Sequence, residues 1–87
     1  MELKINSECF RECGASAAIL LAYIQLNCNE EGELQLNMAE LAELAGLSRP
    51  WVSQLINTLA YFEYVRCNML FTGTGHYKKV YLGRKLL

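Results

Sequence analysis

Between residues 49 and 57 the chain places Arg49, Ser53, Gln54 and Asn57, with Pro50 and Trp51 among them. A guanidinium presents parallel N–H groups that fit the two acceptors on a guanine edge, and a carboxamide matches the donor–acceptor pair of adenine. Ser53 suits a phosphate or a base edge. Trp51 offers a face for thymine methyls or sugars, or an anchor for a protein partner. A second group, Arg66, His76, Lys78 and Lys79, lies further on, interleaved with tyrosine and glycine. That combination grips phosphate groups, with glycines allowing close backbone approach. Reactive chemistry is much less in evidence. One histidine, His76, and no aspartate leave no pairing suited to general acid–base or nucleophilic catalysis, so no enzyme is expected.

Cys9, Cys13, Cys28 and Cys67 do not form a metal-ligand pattern, since zinc takes four ligands and the single histidine lies far along the chain. Without an export signal they read as free thiols packed as small apolar groups. No metal and no cofactor is expected. Gly73–Gly75 is too short for a nucleotide-binding loop and reads as a hairpin turn.

Charge is distributed unevenly. Residues 1–48 hold Lys4 and Arg11 against eight glutamates, a net −6, and residues 49–87 hold six cations against Glu63 alone, a net +5. Such polarity is the footprint of a surface that faces phosphates, or else of two halves that neutralise one another across an internal interface. Eighty-seven residues at 53% hydrophobic and 20% charged suffice for one domain with one core. Ala15–Ile24, the longest nearly unbroken apolar run, is too short for a bilayer, and the N-terminus lacks the pattern of a signal peptide. The expectation is a cytoplasmic protein with no membrane contact.

Which elements would hold these residues? Leu41–Ala45 is a short apolar helical run that meets Gly46. Ser48 then caps a second helix whose Val52, Leu55, Ile56 and Leu59 form an inward stripe, with Pro50 in its first turn. Asn37 with Glu40 predicts a capping box, so the first of these helices starts at Met38. Ala15–Asn27 is a helix that is apolar all round, which must bury its second face on an N-terminal segment or on another copy of itself. Ser7 is expected to cap a brief turn through Cys13, and Met1–Asn6 to be a short strand or an arm. Val65–Phe71 and Tyr77–Leu82 predict a β-hairpin around residues 72–76. Leu34 and Leu36 alternate with polar neighbours as a third strand. Leu86 and Leu87 close a basic tail and should dock if ordered.

The order of these elements resembles the winged helix-turn-helix family over Ala15–Leu82, carried by LAELAGLSRPWVSQLINTL followed by YVRCNMLFTGTGHYKKVYL. The segment AILLAYIQLN also resembles the opening of winged-helix domains of plasmid and phage replication proteins and of small dimeric repressors. The fold implied is α+β: a three-helix core with a small antiparallel sheet and a β-hairpin wing. Residues 1–14 would form an arm or short helix, 15–64 the helical core, 65–82 the wing and 83–87 the tail. The resemblance implies that the helix from Arg49 enters the major groove and that the wing touches backbone or minor groove. Function then follows as sequence-specific double-stranded DNA binding, in transcriptional regulation or replication initiation, by a homodimer pairing through Ala15–Asn27. The competing expectation is a winged helix used only to bind other proteins. Two departures stand out: Tyr61–Tyr64 replaces the glycine often found before the wing, and Arg49 is the only cation of the reading stretch.

Overall fold

In the computed structural model, residues 3–72 and 75–86 are described, with the side chains of all of these except residues 69–78. Four helices precede one hairpin: α1 (Ser7–Cys13), α2 (Ala15–Leu26), α3 (Met38–Ala45), α4 (Arg49–Tyr61), β1 (Val65–Thr72) and β2 (Gly75–Leu82), with a closing 3₁₀ turn at Arg84–Leu86. This is a small α+β domain.

The first helix is capped one residue earlier than expected. Asn6, not Ser7, accepts the free Cys9 amide at 2.9 Å, because Asn6 holds the extended backbone of a cap while Ser7 is already the first helical residue. Residues 3–6 form no strand. α1 lies along α2 and puts Cys9 into the core beside Ala17, Ala18, Leu20, Leu21 and Ile24. That contact answers how an all-apolar helix is accommodated, since α1 covers its second face. The large apolar residues left exposed on α2 are Ile19 and Leu26, with half-buried Tyr23 between them.

Asn37 and Glu40 form the expected reciprocal box at the start of α3, at 2.8 and 3.1 Å. At its end Gly46 adopts φ +71°, and the amides of Gly46 and Leu47 return to the carbonyls of Glu43 and Ala42. The chain can therefore turn sharply and start α4 at Ser48, whose hydroxyl accepts the Trp51 amide at 3.3 Å. α4 ends with the same pattern: the Glu63 and Tyr64 amides bond to Ala60 and Leu59. Here, however, the left-handed position (φ +67°) is filled by Glu63. The missing glycine noted in the sequence is thus a side chain held in a glycine conformation.

β1 and β2 pair antiparallel from Val65↔Leu82 to Thr72↔Gly75, so each strand runs closer to the tip than expected. The third strand does not form as one. Leu34 donates to the Val80 carbonyl at 2.9 Å and Leu82 to that of Gly32 at 2.8 Å, leaving a single bridge at Glu33↔Tyr81. The physical reason lies in the preceding turn. Asn29 accepts the amides of Glu31 and Glu33, and Leu34 bridges back to Cys28, so the segment doubles over before it can run along the sheet. Leu86 packs half-buried on the core, and Leu87 lies outside the described residues.

Candidate nucleic-acid interface

Val52, Leu55, Ile56 and Leu59 are buried and fix the rotation of α4. At 100° per residue, the line opposite them is Pro50, Gln54, Asn57 and Tyr61. All four are exposed, over a length of about 16 Å at 1.5 Å per residue. Arg49 and Ser53 flank this line on one side, exposed and half-buried respectively. Trp51, 40% exposed, flanks it on the other. The helix thus brings the six expected residues Arg49, Pro50, Trp51, Ser53, Gln54 and Asn57 onto one broad outer surface. Tyr61 was not anticipated as part of it. At 81% exposure it is the most open large apolar side chain described, resting edge-on against Phe62 at 5.1 Å. The signal was present in the spacing 50, 54, 57, 61, but Tyr61 reads equally well as the exit of the helix.

On the hairpin, Arg66 is exposed, its guanidinium 5.1 Å from the centre of the Tyr81 ring opposite it in register. His76 and Lys78 pair along the backbone with Phe71 and Met69, and their side chains lie outside the described residues. Lys79 departs from expectation: its ammonium is 2.6 Å from a carboxylate oxygen of Glu33. The register places Lys79 two residues from Tyr81, the bridge partner of Glu33, so the acidic turn reaches it from the adjoining segment.

The tail departs further. Arg84 faces Glu63 at 3.7 Å, and Lys85 lies 2.8 Å from Glu12 and 3.8 Å from Glu8. Lys85 also sits 4.9 Å over the ring of Tyr64, whose hydroxyl donates to the same Glu12 oxygen. Tyr64 is fully buried, so this network ties α1, the start of β1 and the tail together. Lys79, Arg84 and Lys85 therefore pair with the acidic first half of the chain or with Glu63. The charge polarity is in good part an internal neutralisation, and the grip expected from Lys78–Lys85 is correspondingly smaller. Among the described residues, Arg49 makes no ion pair, and Arg66 contacts only its aromatic neighbour.

The network has a pH signature. Hydrogen bonds from Lys85 and then Tyr64 hold the Glu12 carboxyl below its ordinary 4.5. The Glu12 hydrogen bond raises Lys85, and burial first, then Glu12, raises Tyr64. A depressed carboxyl stabilises the fold above its unfolded value and loses that contribution as pH falls through the folded value. The raised Lys85 and Tyr64 do the reverse, contributing below about 10 and losing it as the solution becomes more alkaline. Thermal unfolding from pH 3 to 7 is expected to show wild type above Glu12→Gln at neutral pH, with the gap closing below about pH 4.5. A gap constant across that range would exclude the role given to Glu12.

Three of the four thiols are shifted away from reactivity. Burial, then Cys13, pushes Cys9 up to about 12, and burial raises Cys13 and Cys28 as well, so little thiolate exists near neutrality. None of the four cysteines forms a disulfide. Among the described residues no group of three or more His, Cys, Asp or Glu side chains comes together to hold a metal ion, and no helix is long and apolar enough to cross a membrane. Compared with known proteins, the chain matches no protein-family model and no curated protein sequence.

Proposed function

We propose that the chain is a winged helix-turn-helix domain that binds double-stranded DNA sequence-specifically, with α4 as the reading helix and the β1–β2 hairpin as the wing. The observation that carries this reading is the outer surface of α4, where forked polar groups at 54 and 57 stand opposite a buried stripe, flanked by Arg49, which makes no ion pair among the described residues. α3 and α4 meet at a left-handed glycine and a serine cap, the helix, turn and helix order that this reading requires. Arg66, His76 and Lys78 on the hairpin are the wing's contributions to the backbone or minor groove, with Lys79 the least available. Transcriptional regulation or replication initiation in the cytoplasm both fit such a module. Two copies pairing through α2 would bring two reading helices together; the apolar surface α2 offers for this is Ile19, Tyr23 and Leu26.

Selection from a pool of random duplexes with the purified protein tests the reading. A conserved core of a few base pairs is expected to emerge, and Gln54→Ala with Asn57→Ala should erase the preference while sparing most low-salt affinity. Absence of any binding at low salt would leave the second reading, a protein-binding winged helix. The exposures of Trp51 (40%), Leu44 (41%) and Tyr61 (81%), beside cations already neutralised, are what favour that one.

A further inference from the structure

The strand register sorts the base of the hairpin into two faces. Val65, Cys67, Val80 and Leu82 lie on one and pack on the core, so Arg66, Asn68, Lys79 and Tyr81 lie on the other, which looks outward. Arg66 and Asn68 are exposed there, whereas Lys79 is met by Glu33. We propose that the turn at residues 29–33 is an autoinhibitory element, in which the Glu33 carboxylate occupies Lys79 in place of an incoming polyanion and weakens the grip of the hairpin's outer face. The inference rests on the DNA reading for the identity of that polyanion, and the masking itself can be measured without it.

The turn is built to hold this carboxylate still. Asn29 accepts the amides of Glu31 and Glu33 at 3.0 Å each, and its own amide donates to the Glu33 carbonyl at 3.0 Å. Two further bonds fasten the segment to β2, from the Leu34 amide to Val80 and from the Leu82 amide to Gly32. Glu33 is therefore fixed on both sides, and its carboxylate reaches the Lys79 ammonium at 2.6 Å. The two side chains, Lys79 and Glu33, are 36% and 23% exposed, so salt screens the pair less than an open one. Carboxylate and phosphate oxygens are equivalent acceptors for an ammonium, but this carboxylate belongs to the same folded chain and gives up no translational freedom in pairing. A phosphate that displaced it would also meet Glu33 stripped of its partner, a like charge at the contact. Phosphates are the same in every sequence, so the masking lowers non-specific affinity and leaves discrimination to α4.

Glu33→Gln removes the charge while keeping the side chain's length and the backbone bonds of the turn. In fluorescence anisotropy on duplexes of random sequence it is expected to bind about three- to tenfold tighter than wild type at low salt, with a salt slope steeper by about 0.9. Lys79→Ala should then cost several-fold more affinity in the Glu33→Gln protein than in wild type, the coupling expected of two residues in contact. A heparin column supplies the arm that needs no DNA. Glu33→Gln should elute at higher salt than wild type, and adding Lys79→Ala should cancel the difference. Equal slopes and equal elution, or a Lys79→Ala loss that is the same in both backgrounds, overturn the autoinhibition and leave the DNA reading intact. If no variant binds duplex while the heparin difference stands, the DNA reading falls and the masking of Lys79 is upheld.

Discussion

Gly83→Ala is expected to destabilise the domain by roughly 3 kcal/mol or more, at or past the top of the usual range for overpacking. An ideal Cβ at this position would stand 2.3 Å from the Glu63 carbonyl oxygen and 2.8 Å from the carbonyl carbons of Glu63 and Tyr64. These are backbone atoms, and both strands of chain are pinned. Gly83 donates to Tyr64 at 2.8 Å, and Lys85 donates to Glu63 at 3.1 Å. Moving either segment breaks those bonds or lifts Tyr64 out of the core. In urea the midpoint should fall with an unchanged slope, the mark of lost stability rather than an altered unfolded state. A stability within about 0.5 kcal/mol of wild type would show that the elbow yields. The neighbouring position has the opposite sign. Glu63 holds the left-handed conformation at a cost of about 1 kcal/mol, and its exposed pair with Arg84 returns little. Glu63→Gly should therefore stabilise.

Gly83 and Glu63 also mark where sequence reasoning reached its limit. Helix positions were legible because their causes are local. The Asn37–Glu40 box, the Gly46 turn, the Ser48 cap and the stripe Val52, Leu55, Ile56, Leu59 each follow from residues within one or two turns of one another. The hairpin was legible for the same reason, though short at its tip by one residue on β1 and two on β2. The close approach of Gly83 to the α4–β1 elbow joins residues twenty apart and has no local signature. The third strand failed because Asn29 and Cys28 bend it away, a competition between turn and ladder that alternation alone does not reveal. Within the interface, the outward surface of α4 could be read from periodicity, whereas the state of the cations could not. Lys79, Arg84 and Lys85 look like free basic residues in sequence, and find their carboxylates only through tertiary packing of distant glutamates.

That redistribution of charge sets the second large effect. If all six cations of residues 49–87 met phosphates, the logarithm of affinity would fall against the logarithm of salt with a slope of about −5, at about 0.9 per neutralised phosphate. With Lys79, Arg84 and Lys85 held by Glu33, Glu63, Glu8 and Glu12, only Arg49 and Arg66 remain among the described side chains, and with Lys78 counted beside them the expected slope is about −2 to −3. Affinity at moderate salt then depends heavily on Arg49, the reading helix's one cation, which forms no ion pair among the described residues. Arg49→Ala should weaken binding to a selected site by about 10–100-fold, corresponding to about 1–3 kcal/mol. How the loss divides identifies what Arg49 touches. A base contact would cost specific binding far more than non-specific binding, while a phosphate contact would weaken both and reduce the slope by about 1. Lys85→Ala is the counterpart: it should leave the slope unchanged and lower thermal stability, because its partner Glu12 loses its nearest cation. Fluorescence anisotropy across a salt series with the three proteins measures all of these quantities. A wild-type slope near −5, with Lys85→Ala reducing it, would mean that DNA opens the tail's ion pairs. An Arg49→Ala affinity equal to wild type would remove α4 from the interface altogether.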